Sequence, residues 1–146
     1  MHNKIKSYIL VTIQLVCIVL IVFSGPFFPK NIFALLIGTL GGVVGLWAIA
    51  VMRVGHFNIT PEIHLYSRLT SKGPYKYIRH PMYSSVLLIT LTWLLNYFTF
   101  TRLVIWMVLI FDLIIKLEYE EKLLINRYKE YQDYQQKTKK LIPFIY

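Results

Sequence analysis

The chain has 146 residues, 56% of them hydrophobic and only 16% charged, with a formal net charge of +9. That length suits one domain, and the gathering of the apolar excess into long uncharged runs excludes an ordinary soluble helical bundle. The single cysteine, Cys17, excludes a disulfide framework or a cysteine-based metal cluster.

The first uncharged run, Tyr8 to Pro29, has Gln14 as its main polar residue. We read a membrane span over about residues 7–24. Lys4 and Lys6 precede it as in a signal peptide, but no convincing cleavage site follows, so retention is expected. Gly25-Pro26 and Pro29 mark a turn. A second span, 32–52, lacks charge throughout, and a helix needs about 20 apolar residues to cross the hydrocarbon. Its Gly38, Gly41, Gly42 and Gly45 form two GxxxG pairs, which allow close helix approach. The partner is a helix of the same chain or, in the sharper reading, a second copy in a homodimer.

A long loop follows over 53–82, with Pro61 and Gly73-Pro74. Long ordered loops are often functional. The third span is expected at 83–97 and a turn near Asn96. The fourth is expected at 102–117 and runs on as one helix to about Gln136. Residues 118–146 are rich in charge and tyrosine and end in an apolar tail, Leu141 to Tyr146. The fold class is therefore all-α, a single polytopic membrane domain of four transmembrane helices with a long cytoplasmic C-terminal helix.

Positive charge follows topology. Lys and Arg crowd the N-terminal tail, the 53–81 loop and the C-terminal segment, whereas the two opposite loops hold only Lys30 and Arg102. The positive-inside rule puts both termini in the cytoplasm. Anionic lipid headgroups are a better use of this charge than nucleic acid.

Two groups of residues carry possible chemistry. Gly73 to Tyr83 packs two Pro, three Tyr, Lys76, Arg79 and His80 into a membrane boundary, where polar groups are costly to hold. Pro81 suits the first turn of a helix. Arg79 and His80 would then stand at its positive N-terminal end and favour an anionic group. On the last helix, Asp112, Lys116 and Glu120 fall at i, i+4 and i+8 on one face, so neighbours can pair, while Glu121 points about 100° away. His56, His64 and His80 have no metal-ligand spacing, and no metal site is expected. Cations, carboxylates and Tyr faces together suit the carboxylate, ammonium and sulfonium of S-adenosylmethionine. Spacing alone does not select it over a nucleotide.

Gly73-Pro74-Tyr75 through Arg79-His80-Pro81-Met82-Tyr83, two hydrophobic spans, and then Glu120-Glu121-Lys122-Leu123-Leu124 resemble the isoprenylcysteine carboxyl methyltransferase and phospholipid methyltransferase superfamily. Phe57-Asn58-Ile59, Pro61 and the C-terminal Tyr128, Tyr131 and Tyr134 extend the resemblance over 57–146. It implies an integral-membrane methyltransferase that uses S-adenosylmethionine on a lipophilic substrate, with a carboxyl methyltransferase of the isoprenylcysteine type favoured. By motif position, Ser67, Arg68, Leu69, Thr70, Tyr75, His80, Pro81, Met82, Tyr83 and Glu120 would line the cofactor, and Arg79 and Glu121 would be catalytic. Lys116 stands where some relatives carry a substrate-contacting Arg, and Lys is a poorer bidentate partner for a carboxylate. A phospholipid amine or a small thiol is an alternative acceptor. An NADPH-dependent membrane reductase and a non-catalytic membrane scaffold are alternatives of other classes.

Overall fold

The computed structural model describes residues 2–26, 28–52 and 70–146. Among these it contains five α-helices: α1 His2–Phe23, α2 Ile32–Met52, α3 Pro81–Asn96, α4 Phe100–Arg127 and α5 Tyr131–Lys137. A 3-10 turn, Gly73–Lys76, precedes α3. α2 packs chiefly on α3, and α1 on α4.

Ile5–Phe23 and Ile32–Met52 are long and apolar enough to cross a membrane, and most of each faces outward. Leu15, Val19, Leu36, Leu40 and Leu46 are among the exposed side chains. Apolar residues on the outside of a bundle suit lipid rather than water. α3 is apolar but has 16 residues, about 24 Å at 1.5 Å per residue, short of the roughly 30 Å hydrocarbon thickness.

The glycines of α2 serve the α2–α3 contact. A Cβ on Gly38 would meet Thr92, one on Gly41 would come within 2.8 Å of Leu88 Cβ, and one on Gly45 would meet Ser85. Gly42 faces open space. Close approach lets the Ser85 hydroxyl donate to the Gly41 carbonyl at 2.7 Å, a polar contact well suited to an apolar surrounding.

Thr99 caps α4 by accepting from the Arg102 backbone N–H. The Arg102 side chain turns inward and is 1% exposed. It donates to the carbonyls of Ile21, Trp93 and Tyr97 and to Ser24 Oγ, at 2.7–2.9 Å. Arg102 thus adds a charged donor to carbonyls at the ends of α1 and α3, and its charge suits their negative ends.

The single helix expected to run to Gln136 stops at Arg127. Tyr128 is extended (φ −116°, ψ 113°), and α5 folds back. No Gly or Pro breaks the chain there. The turn buries Tyr131 to 1% exposure and brings Tyr134 to the Tyr75 carbonyl and Gln135 to Glu121. Those contacts outweigh helix propensities worth under about 1 kcal/mol per residue.

Candidate functional site

The C-terminal segment straps the Gly73–Tyr83 motif in place. Lys139 pairs in parallel with Ile78. Arg79 and His80 donate their backbone N–H groups to the carbonyls of Lys139 and Lys140 at 2.8 and 3.0 Å. Ser84 Oγ donates to the Leu141 carbonyl at 2.6 Å, and Tyr134 OH to the Tyr75 carbonyl at 2.6 Å. Gly73 has φ +57°, a left-handed conformation that glycine takes without strain, which opens the 3-10 turn carrying Tyr75.

Against this strap the two motifs meet. Arg79 Nε donates to Glu121 Oε1 at 2.6 Å, and its Nη1 reaches the carbonyls of Gln135 and Thr138. His80 Nε2 lies 3.2 Å from the same Glu121 oxygen, and Gln135 Nε2 donates to Glu121 Oε2 at 3.0 Å. The anion at the N-terminal end of α3 is therefore the chain's own Glu121. Burial raises the Glu121 pKa, but the hydrogen bonds and charges of His80 and Arg79 outweigh it and hold the carboxyl at about 2.

Glu120 meets different partners. Tyr83 OH donates to its Oε1 at 2.5 Å, and His80 Nδ1 lies 3.6 Å from its Oε2. The imidazole thus stands between the two carboxylates, and it stacks on the Tyr83 ring at 5.4 Å, with 7° between planes. The Glu120 side chain keeps 21% of its surface exposed, against 8% for Glu121. Burial is the largest influence on Glu120 and raises its pKa, only partly opposed by His80, Tyr83 and Lys116.

One turn further into the bundle, Lys116 Nζ donates to Gln14 Oε1 at 2.8 Å and sits 5.3 Å from the Tyr83 ring centre. Tyr83 is thereby shared between Glu120 and Lys116. Tyr75 is buried and lies close enough to Glu120 and Tyr134 to be affected by their charge. Burial raises its hydroxyl pKa above the usual range and keeps it protonated. Pro81 is buried at the first position of α3, with Met82 half-buried beside it. Thr70 is half-buried ahead of the 3-10 turn. Ser67, Arg68 and Leu69 lie outside the described residues.

The residues available around Glu120 suit an ammonium on the carboxylate and an onium cation near the tyrosine faces. Residues given no role in the site from sequence complete the arrangement. Gln135, Tyr134 and Thr138 hold the strap, and Gln14 reaches in from α1. Gln14 had a signal, as a lone polar residue in an apolar span. Gln135 and Thr138 had none, because their roles arise from the break at Tyr128.

The family profile of phospholipid methyltransferases matches residues 29–131, which include both motifs. The chain belongs to the phospholipid methyltransferase family. Membership implies methyltransferase activity, and the two span-length apolar helices suit an integral-membrane protein. No curated protein and no solved structure matched the chain.

Proposed function

We infer that the chain transfers a methyl group from S-adenosylmethionine to a lipophilic acceptor at the membrane surface. The observation that carries this reading is the Tyr83–Glu120–His80 cluster at one end of helices whose outer surfaces are apolar. S-adenosylmethionine supplies an electrophilic methyl on a sulfonium. Glu120 would hold its ammonium, Tyr83 and Tyr75 would flank the cation, and Arg79 and Glu121 would keep His80 in position. Covering by the C-terminal strap would exclude water, and holding acceptor and methyl in line supplies much of the rate.

The membrane arrangement that fits this reading has four spans, α1 to α4, with both termini and the site on the cytoplasmic side. Support comes from the charge distribution: the site end carries the Lys and Arg excess, and the opposite end carries Lys30 and Arg102. α3 and the apolar half of α4 would cross as a pair, with the polar groups of α4 facing protein.

Calorimetry of the purified chain with S-adenosylhomocysteine and, separately, with NADPH tests the reading. Binding of S-adenosylhomocysteine alone is expected. Binding of NADPH alone would indicate a reductase, and binding of neither a scaffold.

A further inference from the structure

The segment that straps the site folds into a closed turn over 141–146, and its apolar side chains stay outside the core. The Leu141 and Ile142 backbone N–H groups both donate to the Tyr146 carbonyl, at 2.7 and 2.8 Å. Leu141 is buried, and its carbonyl accepts from Ser84 Oγ on the first turn of α3. Ile142, Phe144 and Ile145 are exposed, the last two to 85% and 76%. Phe144 has φ +67°, a left-handed conformation that is costly for a bulky residue, and so little burial within the chain offsets that cost. Basic residues adjoin this apolar tip. The Lys139 N–H donates to the Tyr77 carbonyl at 3.1 Å, which sets Lys76 and Tyr77 beside the strap. Lys76, Lys137 and Lys139 are exposed. Together, residues 72–79 and 137–146 hold five Lys, one Arg and no acid. Lys140 is matched by Glu118 at 3.7 Å.

The tip also lies at the right level for lipid. A Cβ on Gly73 would come within 2.6 Å of Val51 and 3.0 Å of Trp47. The 3-10 turn therefore rests on the last turns of α2, a span-length apolar helix, while Ser84 ties the tip to the start of α3. We propose that the 141–146 turn docks on the anionic bilayer interface beside the bundle, and that this docking holds the strap on the site. Phe144 and Ile145 enter the interface, and Lys76, Lys137 and Lys139 reach the headgroups. Apolar surface together with a basic patch is the pair of signals that stable anchoring needs. A second copy docked through the same face would set lysines against lysines. Lifting the strap breaks the bonds from the Arg79 and His80 N–H groups to the Lys139 and Lys140 carbonyls. In a docked chain it must also withdraw the tip from lipid, so docking resists exposure of His80 and Glu121. The proposal rests on the four-span arrangement given above and is independent of which acceptor is methylated.

The test uses the full chain in vesicles of dioleoylphosphatidylcholine, with and without dioleoylphosphatidylglycerol. Ile145→Cys carries a nitroxide; Cys17 is buried, and the wild-type chain serves as the blank. The label is expected to be reached by oxygen dissolved in lipid and shielded from a water-soluble nickel chelate. In the wild-type chain, hydrogen exchange of the Arg79 and His80 amides is expected to slow about fivefold or more when the anionic lipid is present. Lys137→Gln combined with Lys139→Gln should abolish that lipid dependence, because both side chains are exposed and act only through charge. A label open to the nickel chelate in anionic vesicles overturns the proposal. So does spin–spin broadening between labels, which would assign the face to a second copy. Wild-type amide exchange indifferent to lipid charge overturns it as well, a result that does not depend on how any variant folds. A chain that alkaline carbonate strips from the vesicles would overturn the four-span arrangement and the docking with it. A label held in lipid by a chain that does not bind S-adenosylhomocysteine would sustain the docking and overturn the methyltransferase reading.

Discussion

Glu120 and Glu121 are neighbours in the chain, and one imidazole, that of His80, lies between their carboxylates at 3.6 and 3.2 Å. The rest of their surroundings divides them. Glu121 is closed in by Arg79 and Gln135, whereas Glu120 faces Tyr83 and keeps part of its surface open. One carboxylate is a latch for the strap, and the other remains available to a ligand.

The latch predicts acid sensitivity. The Glu121 carboxyl titrates at about 2 in the fold, against an ordinary 4.5. A depressed pKa lends stability that is complete above the unfolded value and is lost as pH falls through the folded one. The shift corresponds to about 3 kcal/mol at neutral pH. Thermal melts of wild type and Glu121→Gln should differ most near pH 7 and converge between pH 4.5 and 2. Curves that stay parallel across that window would remove the latch.

Glu120 predicts the opposite pH behaviour in binding. Its raised pKa means that the carboxylate needed to hold an ammonium forms only as pH rises. S-adenosylhomocysteine affinity of wild type should strengthen with pH through that titration. Glu120→Gln should weaken binding at least tenfold, about 1.4 kcal/mol, and flatten the pH dependence while the chain still melts cooperatively. Calorimetry at several pH values checks both, and wild-type affinity in the variant would exclude Glu120 from the site.

The contrast shows what the sequence made legible. Apolar runs bounded by charge located the helices because the period and length of burial are local properties. The pairing of Gly73–Tyr83 with Glu120-Glu121 was legible through the family resemblance. The division of labour between the two glutamates was not, because it depends on Gln135 and Thr138. These reach the site only through the chain reversal at Tyr128, where tertiary contacts override a helical sequence. The inward turn of Arg102 was hidden for a similar reason. Its partners are backbone carbonyls of α1 and α3, which leave no mark on residue type.

The α2–α3 contact predicts opposite outcomes at adjacent glycines. Gly41→Ala places a methyl 2.8 Å from Leu88 Cβ and 3.1 Å from the Ile89 backbone nitrogen. It should cost about 1–3 kcal/mol through overpacking and weaken the Ser85 bond to the Gly41 carbonyl. Gly42→Ala meets nothing within 4 Å and should be neutral or stabilise by up to about 1 kcal/mol through helix propensity. Melting of the two variants in the same detergent compares them directly. Equal destabilisation would point to a second copy of the chain covering Gly42.

Arg102 predicts a structural failure at the end opposite the site. Its guanidinium joins α1, α3 and α4 through three carbonyls and Ser24 Oγ. Arg102→Lys keeps the charge but loses the fork that reaches several carbonyls together. It should cost on the order of 2 kcal/mol, within the range for hydrogen bonds to charged groups. Arg102→Ala removes charge and fork and should cost more, because carbonyls at two helix ends lose a charged donor. Both variants should bind S-adenosylhomocysteine normally at temperatures where they remain folded, because the lesion lies at the far end of the bundle. A melting temperature unchanged in Arg102→Ala would mean that water replaces the guanidinium, and that the helix ends do not depend on it.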